Sequence, residues 1–213
     1  MKDTIELCTG VYRDIHIYAA MKSELLDKVE EFATAQLKSR LSPTLYFHNL
    51  RHTREVVEAT LEIGKHSDLT EIELETVTIA AWFHDVGYCK IYKGHEVESA
   101  NNAFVFLSIM GMDKLRIEQI ISCILATRMP QKPTSILEKV ICDADFYHFS
   151  RHDYQQHEQA LKKEWEIALG LNYTKVQWTK LNYTMLKEHT YWTPYGKTVL
   201  QIKKEANIKQ LTT

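Results

Sequence analysis

Two hundred and thirteen residues, 45% of them apolar and 25% charged, are enough to build a buried core and too apolar for a disordered chain. Seven Gly and four Pro are few for this length, which argues against many short strands joined by turns and leaves helices as the default. The formal net charge of −2 offers no basic field and no acidic tail, so a coat for DNA or RNA is not indicated.

In chain order, 3.6-residue periodicity first predicts an amphipathic helix over residues 18–40, stopped ahead of Ser42-Pro43. A second helix follows over 49–66. A third starts at Thr70, where Thr70 and Glu73 form a capping-box pattern, and reaches about Asp85. The loop VGYCKIYKG leads to a helix over 95–110, and another begins at Asp113 and ends before Pro130 and Pro133. Ser135 with Glu138 caps the next helix, which carries Asp145 to about Phe149. Three further helices fill the C-terminal third, the last opening with Thr193 as N-cap and Pro194 at the first helical position. No linker or low-complexity tract interrupts the chain. The expectation is an all-α, single-domain helical bundle over 1–213, with a core over about 40–150 and C-terminal helices over about 151–210.

Four scattered cysteines (Cys8, Cys89, Cys123, Cys142) form no CxxC pair, which suits a reducing compartment. MKDTIELCTG turns acidic at once and predicts no signal peptide, and no apolar run approaches a membrane span. The expected location is cytoplasmic, with no membrane partner.

Chemistry-bearing residues fall on faces that must point inward. His84 shares a stripe with Val77, Ala80 and Ala81, and His52 shares one with Val56, Ala59 and Ile63. Asp145 sits four residues from both Ile141 and Phe149, and Asp85 adjoins His84. A buried carboxylate needs a cation or strong donors. Two His and two Asp from separate helices would make a mixed N/O site for a divalent metal. Imidazole favours Zn, Fe, Co or Ni, and carboxylate leaves Mn or Mg open. His48 lies four residues before His52, a spacing that on a helix points both rings the same way. HEVES at 95–99 is not HExxH, because Ser99 stands where the second His belongs. His152-Asp153 has no apolar stripe and reads as a solvent-facing helix start. Phosphate-loop, dinucleotide and serine-hydrolase signatures are absent from the sequence.

The order of His52, AAWFHDVGY with His84-Asp85, and ICDADF with Asp145 resembles the HD-domain superfamily of metal-dependent phosphohydrolases. YFHNLRHTREVV is similar to a stretch of its cyclic-nucleotide phosphodiesterase branch, and GHEVESA with HTYWTPYG resembles a group of small bacterial HD hydrolases. The resemblance covers about residues 40–205. It implies His52, His84, Asp85 and Asp145 as ligands of one divalent metal, with Asp145 rather than Asp143 at the family position. It also implies that Asp85 orients or deprotonates the attacking water and that His48 donates a proton to the leaving oxygen. His95 stands where two-metal members place a ligand, but no His follows between 96 and 147, and Arg128 occupies the matching region. The ligand set for a second metal is therefore incomplete, which leaves a second ion open but not expected, and His95 is read instead as a contact to phosphate or to the metal-bound water.

The function expected from these residues is hydrolysis of a phosphate ester of a nucleotide or related small molecule. Among the nearby cations Arg51, Lys90, Lys93 and Arg128, Lys93 is the preferred phosphate contact, with His95 and Arg128 as further substrate contacts. The alternative is a catalytically weak nucleotide- or metal-binding sensor of the same fold, which the missing second-metal histidines keep open. Substrate, mono- against diester, metal identity and oligomeric state are not legible from these residues.

Overall fold

The computed structural model describes residues 23–211. Among them there are helices and no strands: α1 (Glu24–Arg40), α2 (Leu50–Lys65), α3 (Glu71–Phe83), α4 (His95–Ile109), α5 (Lys114–Ala126), α6 (Ile136–Asp145), α7 (Tyr154–Ala168), α8 (Lys175–Glu188) and α9 (Gln201–Gln210). Short 3₁₀ turns at Val86–Cys89 and Tyr147–Ser150 and a π turn at Gly196–Leu200 join them. The predicted start of the first helix at 18–22, and Cys8, lie outside the described residues.

Helix ends follow the sequence signals. Thr70 and Glu73 cap α3 reciprocally, Ser135 and Glu138 do the same for α6, and Asn49 Oδ1 takes the Arg51 and His52 N–H groups at the head of α2. At the last predicted start, Thr193 Oγ1 accepts from Gly196 N at 2.9 Å. Proline fits there because its missing N–H would have no helical partner.

Helix α3 is the axle of the fold. Every residue from Thr76 to Phe83 is buried, and α1, α2, α4, α5 and α6 pack around it. The sequence reading of an apolar stripe is corrected here, since this helix is enclosed on all sides. Its buried hydroxyls stay satisfied: Thr76 Oγ1 donates to Ile72 O and Thr78 Oγ1 to Leu74 O, both at 2.6 Å. What aims His84 is its place at the C-terminal end of this helix, where the chain turns toward α4. Gly87 permits that turn, because a Cβ there would collide with the His95 carbonyl, and its N–H donates to Ser99 Oγ at 2.8 Å. Helix α6 also departs from expectation: it ends at Asp145, and the chain continues to Ser150 as a 3₁₀ turn.

The C-terminal helices carry a small second cluster of Phe149, Tyr154 and Leu186, while Tyr191 and Leu200 join the main core. The sequon Asn182 is 1% exposed and bonded to Tyr154 and Glu158, so in the folded chain it is closed to glycosylation. No helix among the described residues is long and apolar enough to cross a membrane.

Candidate metal centre and cleft

Three helices deliver the four predicted ligands to one point. His52 leaves the first turn of α2, His84 and Asp85 follow the end of α3, and Asp145 ends α6. His52 Nε2 lies 3.3 Å from Asp145 Oδ1 and 3.6 Å from Asp85 Oδ2, and His84 Nε2 lies 3.3 Å from Asp85 Oδ2 and 3.8 Å from Asp145 Oδ1. The side chains of His52, His84 and Asp85 are 4%, 1% and 4% exposed, so water does not satisfy them. His52 Nε2, His84 Nε2 and Asp85 Oδ2 have no hydrogen-bond partner, although all three are buried. Such orphans are costly unless something binds them.

The donor set fits a small divalent cation. The three orphaned atoms lie within 4.8 Å of one another. Ligands about 2.0–2.2 Å from one ion stand about 3–3.5 Å apart, which is close to the spacings found. His84 Nδ1 faces Ala81 O at 2.7 Å, so its proton goes to the carbonyl and Nε2 turns its lone pair on the centre. Burial disfavours the charged His84 ring, but Asp85 and Asp145 outweigh it and push its pKa up to about 9. Burial likewise opposes charge on Asp85, yet His84 and His95 hold its carboxyl well below the usual range. This group therefore binds positive charge tightly, as protons or as a metal ion that displaces them.

Asp85 and Asp145 form the floor of a cleft of about 700 Å³. His48, Lys93, His95 and Arg128 line it. Lys93 and Arg128 are exposed at its wall, whereas Lys90 pairs with Glu98 at 2.9 Å and Arg51 with Glu55 at 2.8 Å, outside it. His95 Nε2 sits 3.5 Å from Asp85 Oδ1 and its ring stacks on Tyr88 at 3.8 Å. His48 stacks on the same Tyr88 at 4.5 Å.

His48 is not on a helix. Asn49 caps α2 with extended backbone, so His48 precedes it and the i, i+4 argument fails. The ring still comes within 5.8 Å of the His52 ring, for a reason the spacing did not contain. Glu164 of α7, with a fully buried side chain, accepts from Phe47 N at 2.8 Å, His48 N at 3.0 Å and Tyr92 Oη at 3.0 Å, and bonds His48 Nδ1. That leaves His48 Nε2 for the cleft. Glu164 was missed because KKEWEIA reads as a solvated run. Yet it continues the inward row of Tyr154, His157 and Leu161, the same signal that singled out Asp145.

Glu164→Gln is expected to preserve the backbone bonds and any bound metal. Burial opposes charge on His48, but the Glu164 hydrogen bond, with Asp85 and Asp145, raises its pKa. Loss of the carboxylate should therefore move the alkaline limb of a pH–rate profile to lower pH, with a rate loss of roughly tenfold. An unmoved limb would show that Glu164 only braces the chain.

Asp143 is placed away from the centre. Its carboxylate accepts from Trp192 N at 2.7 Å, Thr193 N at 2.9 Å and Thr193 Oγ1 at 2.7 Å, anchoring the loop before α9 to α6. Gly196 lies against it with no room for a Cβ. Asp143→Ala should cost about 3–5 kcal/mol, since two buried N–H groups lose their acceptor. Metal content per folded molecule should stay unchanged, which thermal melts and metal analysis together would check.

Of the remaining sequence features, His152 is exposed just ahead of α7, as expected. His148, which carried no prediction, is buried 6.2 Å from the His52 ring, with its Nδ1 on Asp145 O at 3.1 Å. Burial drives its pKa well down, so it stays neutral.

Residues 49–150 match the family model of the HD domain. The fold is similar to the crystal structure of a predicted HD superfamily hydrolase from an uncultured Thermotogales bacterium, with a TM-score of 0.58 and 18% identity, covering 88% of this chain and 89% of that one. No curated protein matches the chain.

Proposed function

The chain belongs to the HD-domain superfamily, with residues 49–150 as its HD domain, and on that premise we propose that it is a metal-dependent phosphohydrolase of small organic phosphates, a nucleotide foremost. The observation that carries this reading is the convergence of three buried, partnerless ligand atoms, His52 Nε2, His84 Nε2 and Asp85 Oδ2, beside Asp145 at the floor of a large cleft. One divalent ion held by His52, His84, Asp85 and Asp145 supplies an acidified water and neutralises phosphoryl charge when bound.

The chain's own groups do the rest. Lys93 and Arg128, at the cleft wall, draw in the phosphoryl group and offset its charge. Asp85 Oδ1, faced by His95 Nε2, is the atom positioned to take a proton from the attacking water. His48 Nε2 is positioned to give one to the leaving oxygen, and Glu164 holds its ring in register through Nδ1. Tyr88 stacks on the rings of both His48 and His95 and helps hold their planes. One domain, with a metal core over about 40–150 and C-terminal helices that wall the cleft, completes the proposal.

The test is metal analysis of the purified protein with a turnover screen over nucleotides, cyclic nucleotides and phosphomonoesters. Stoichiometric metal with turnover of one ester class supports it. Stoichiometric metal without turnover of any class would favour the sensor reading instead.

A further inference from the structure

Lys93 lines the cleft from a loop that has few bonds of its own. Between the 3₁₀ turn at Val86–Cys89 and α4, residues Lys90, Ile91, Lys93 and Gly94 are exposed, and the N–H groups of Tyr92, Lys93 and Gly94 bond to no backbone carbonyl. Gly94 takes a left-handed φ of 81° with open space around it. The Lys90–Glu98 ion pair lies at the surface, where such a pair contributes little. A segment of this kind opens readily unless a side chain ties it to something fixed.

Tyr92 is that side chain. It is half-buried, its Oη donates to Glu164 Oε1 at 3.0 Å, and its ring stands edge-on to Tyr88 at 5.2 Å. Its carbonyl faces His95 Nδ1 at 3.3 Å. Burial, with Glu164 alongside, pushes the phenol pKa up, so the group keeps its proton and is the donor in this bond. Hydrogen bonds to a carboxylate are among the stronger ones. Glu164 is a fixed anchor: its side chain is fully buried, and its Oε2 takes the N–H groups of Phe47 and His48. Its Oε1 meets both His48 Nδ1 and Tyr92 Oη. One carboxylate oxygen therefore joins the ring proposed to protonate the leaving oxygen to the loop that carries Lys93.

We propose that Tyr92 is a positioning residue for phosphoryl binding: through its bond to Glu164 it latches the 90–94 loop against α7 and so holds Lys93 at the cleft wall. The latch rests on the phosphohydrolase reading only for what Lys93 binds. With the bond in place, the Lys93 ammonium is ordered before an anion arrives. Without it, each anion must order the loop on binding, which weakens binding and leaves the chemical step on the bound ester unchanged.

The test is Tyr92→Phe, which keeps the ring and removes the donor, alone and combined with Lys93→Ala in the metal-loaded full chain, with melting curves confirming that each variant is folded. Inorganic phosphate, followed by calorimetry, should bind Tyr92→Phe roughly three- to tenfold more weakly. KM for p-nitrophenyl phosphate should rise by the same factor, while kcat moves by less than about twofold. Amide hydrogen exchange across residues 90–94 should quicken. In the Lys93→Ala background, Tyr92→Phe should change phosphate binding little, because the cation that the latch positions is gone. Unchanged exchange across the loop, unchanged phosphate binding, a loss fully additive with that of Lys93→Ala, or a fall in kcat with KM unmoved would overturn the latch. Turnover of p-nitrophenyl phosphate by the wild type is read separately: its absence counts against the phosphohydrolase reading, while a non-additive loss of phosphate binding with quickened exchange would still uphold the latch.

Discussion

His84→Ala is expected to leave the protein without stoichiometric metal and without phosphohydrolase activity. The ring is 1% exposed, with Nε2 against both carboxylates and Nδ1 fixed to Ala81 O. No neighbouring donor is placed to replace it: His95 faces the other oxygen of Asp85, and His148 is turned by its bond to Asp145 O. Alanine also leaves Asp85 and Asp145 with one fewer cationic partner in a dry pocket, so the apoprotein should melt at lower temperature. An ion that acidifies water and offsets phosphoryl charge is worth several kcal/mol, so the rate should fall by at least about 10³-fold. Asp85→Asn should behave alike, losing the carboxylate that touches both histidines. Asp143→Ala is the internal contrast, destabilised but still able to load metal. Metal that survives both His84→Ala and Asp85→Asn at full stoichiometry would place the ion elsewhere.

The parts of this site that were legible in the sequence are those that periodicity governs. His52 on α2 and Asp145 on α6 could be placed inward because their helices alternate buried and exposed faces, and burying a carboxylate demands an explanation. Capping pairs at Thr70 and Ser135 fixed helix starts for the same local reason. What was not legible depends on long-range contact. Glu164 reaches His48 across 116 positions, and Asp143 reaches Trp192 N across 49. The His48 case shows how a local argument can name the right residue on wrong grounds: the assumed helix does not extend to it, and a tertiary carboxylate does the orienting.

The kinetic test of that orientation is His48→Ala, which should retain the metal and lose rate selectively. The ring is anchored through Nδ1 to Glu164, with Nε2 left toward the cleft, and it stands beside the proposed ligands rather than among them. Burial opposes the charged ring, but the bond to Glu164 outweighs it and raises the pKa above the ordinary histidine value, so the acid form lasts to higher pH than in a free histidine. The contribution of Asp85 and Asp145 to that rise shrinks once a cation sits between them, whereas Glu164 is unaffected. The sign follows: activity that needs protonated His48 is complete below this raised pKa and declines as pH climbs through it. Positioned acid catalysis contributes about 10²–10⁴-fold, so the variant should lose about that much on an alkyl phosphate, whose leaving oxygen needs a proton. On p-nitrophenyl phosphate, whose leaving group departs as a stable anion, the loss should be far smaller, and the alkaline limb should flatten. Equal losses on both esters would make His48 a binding residue, and loss of metal would move it into the ligand set.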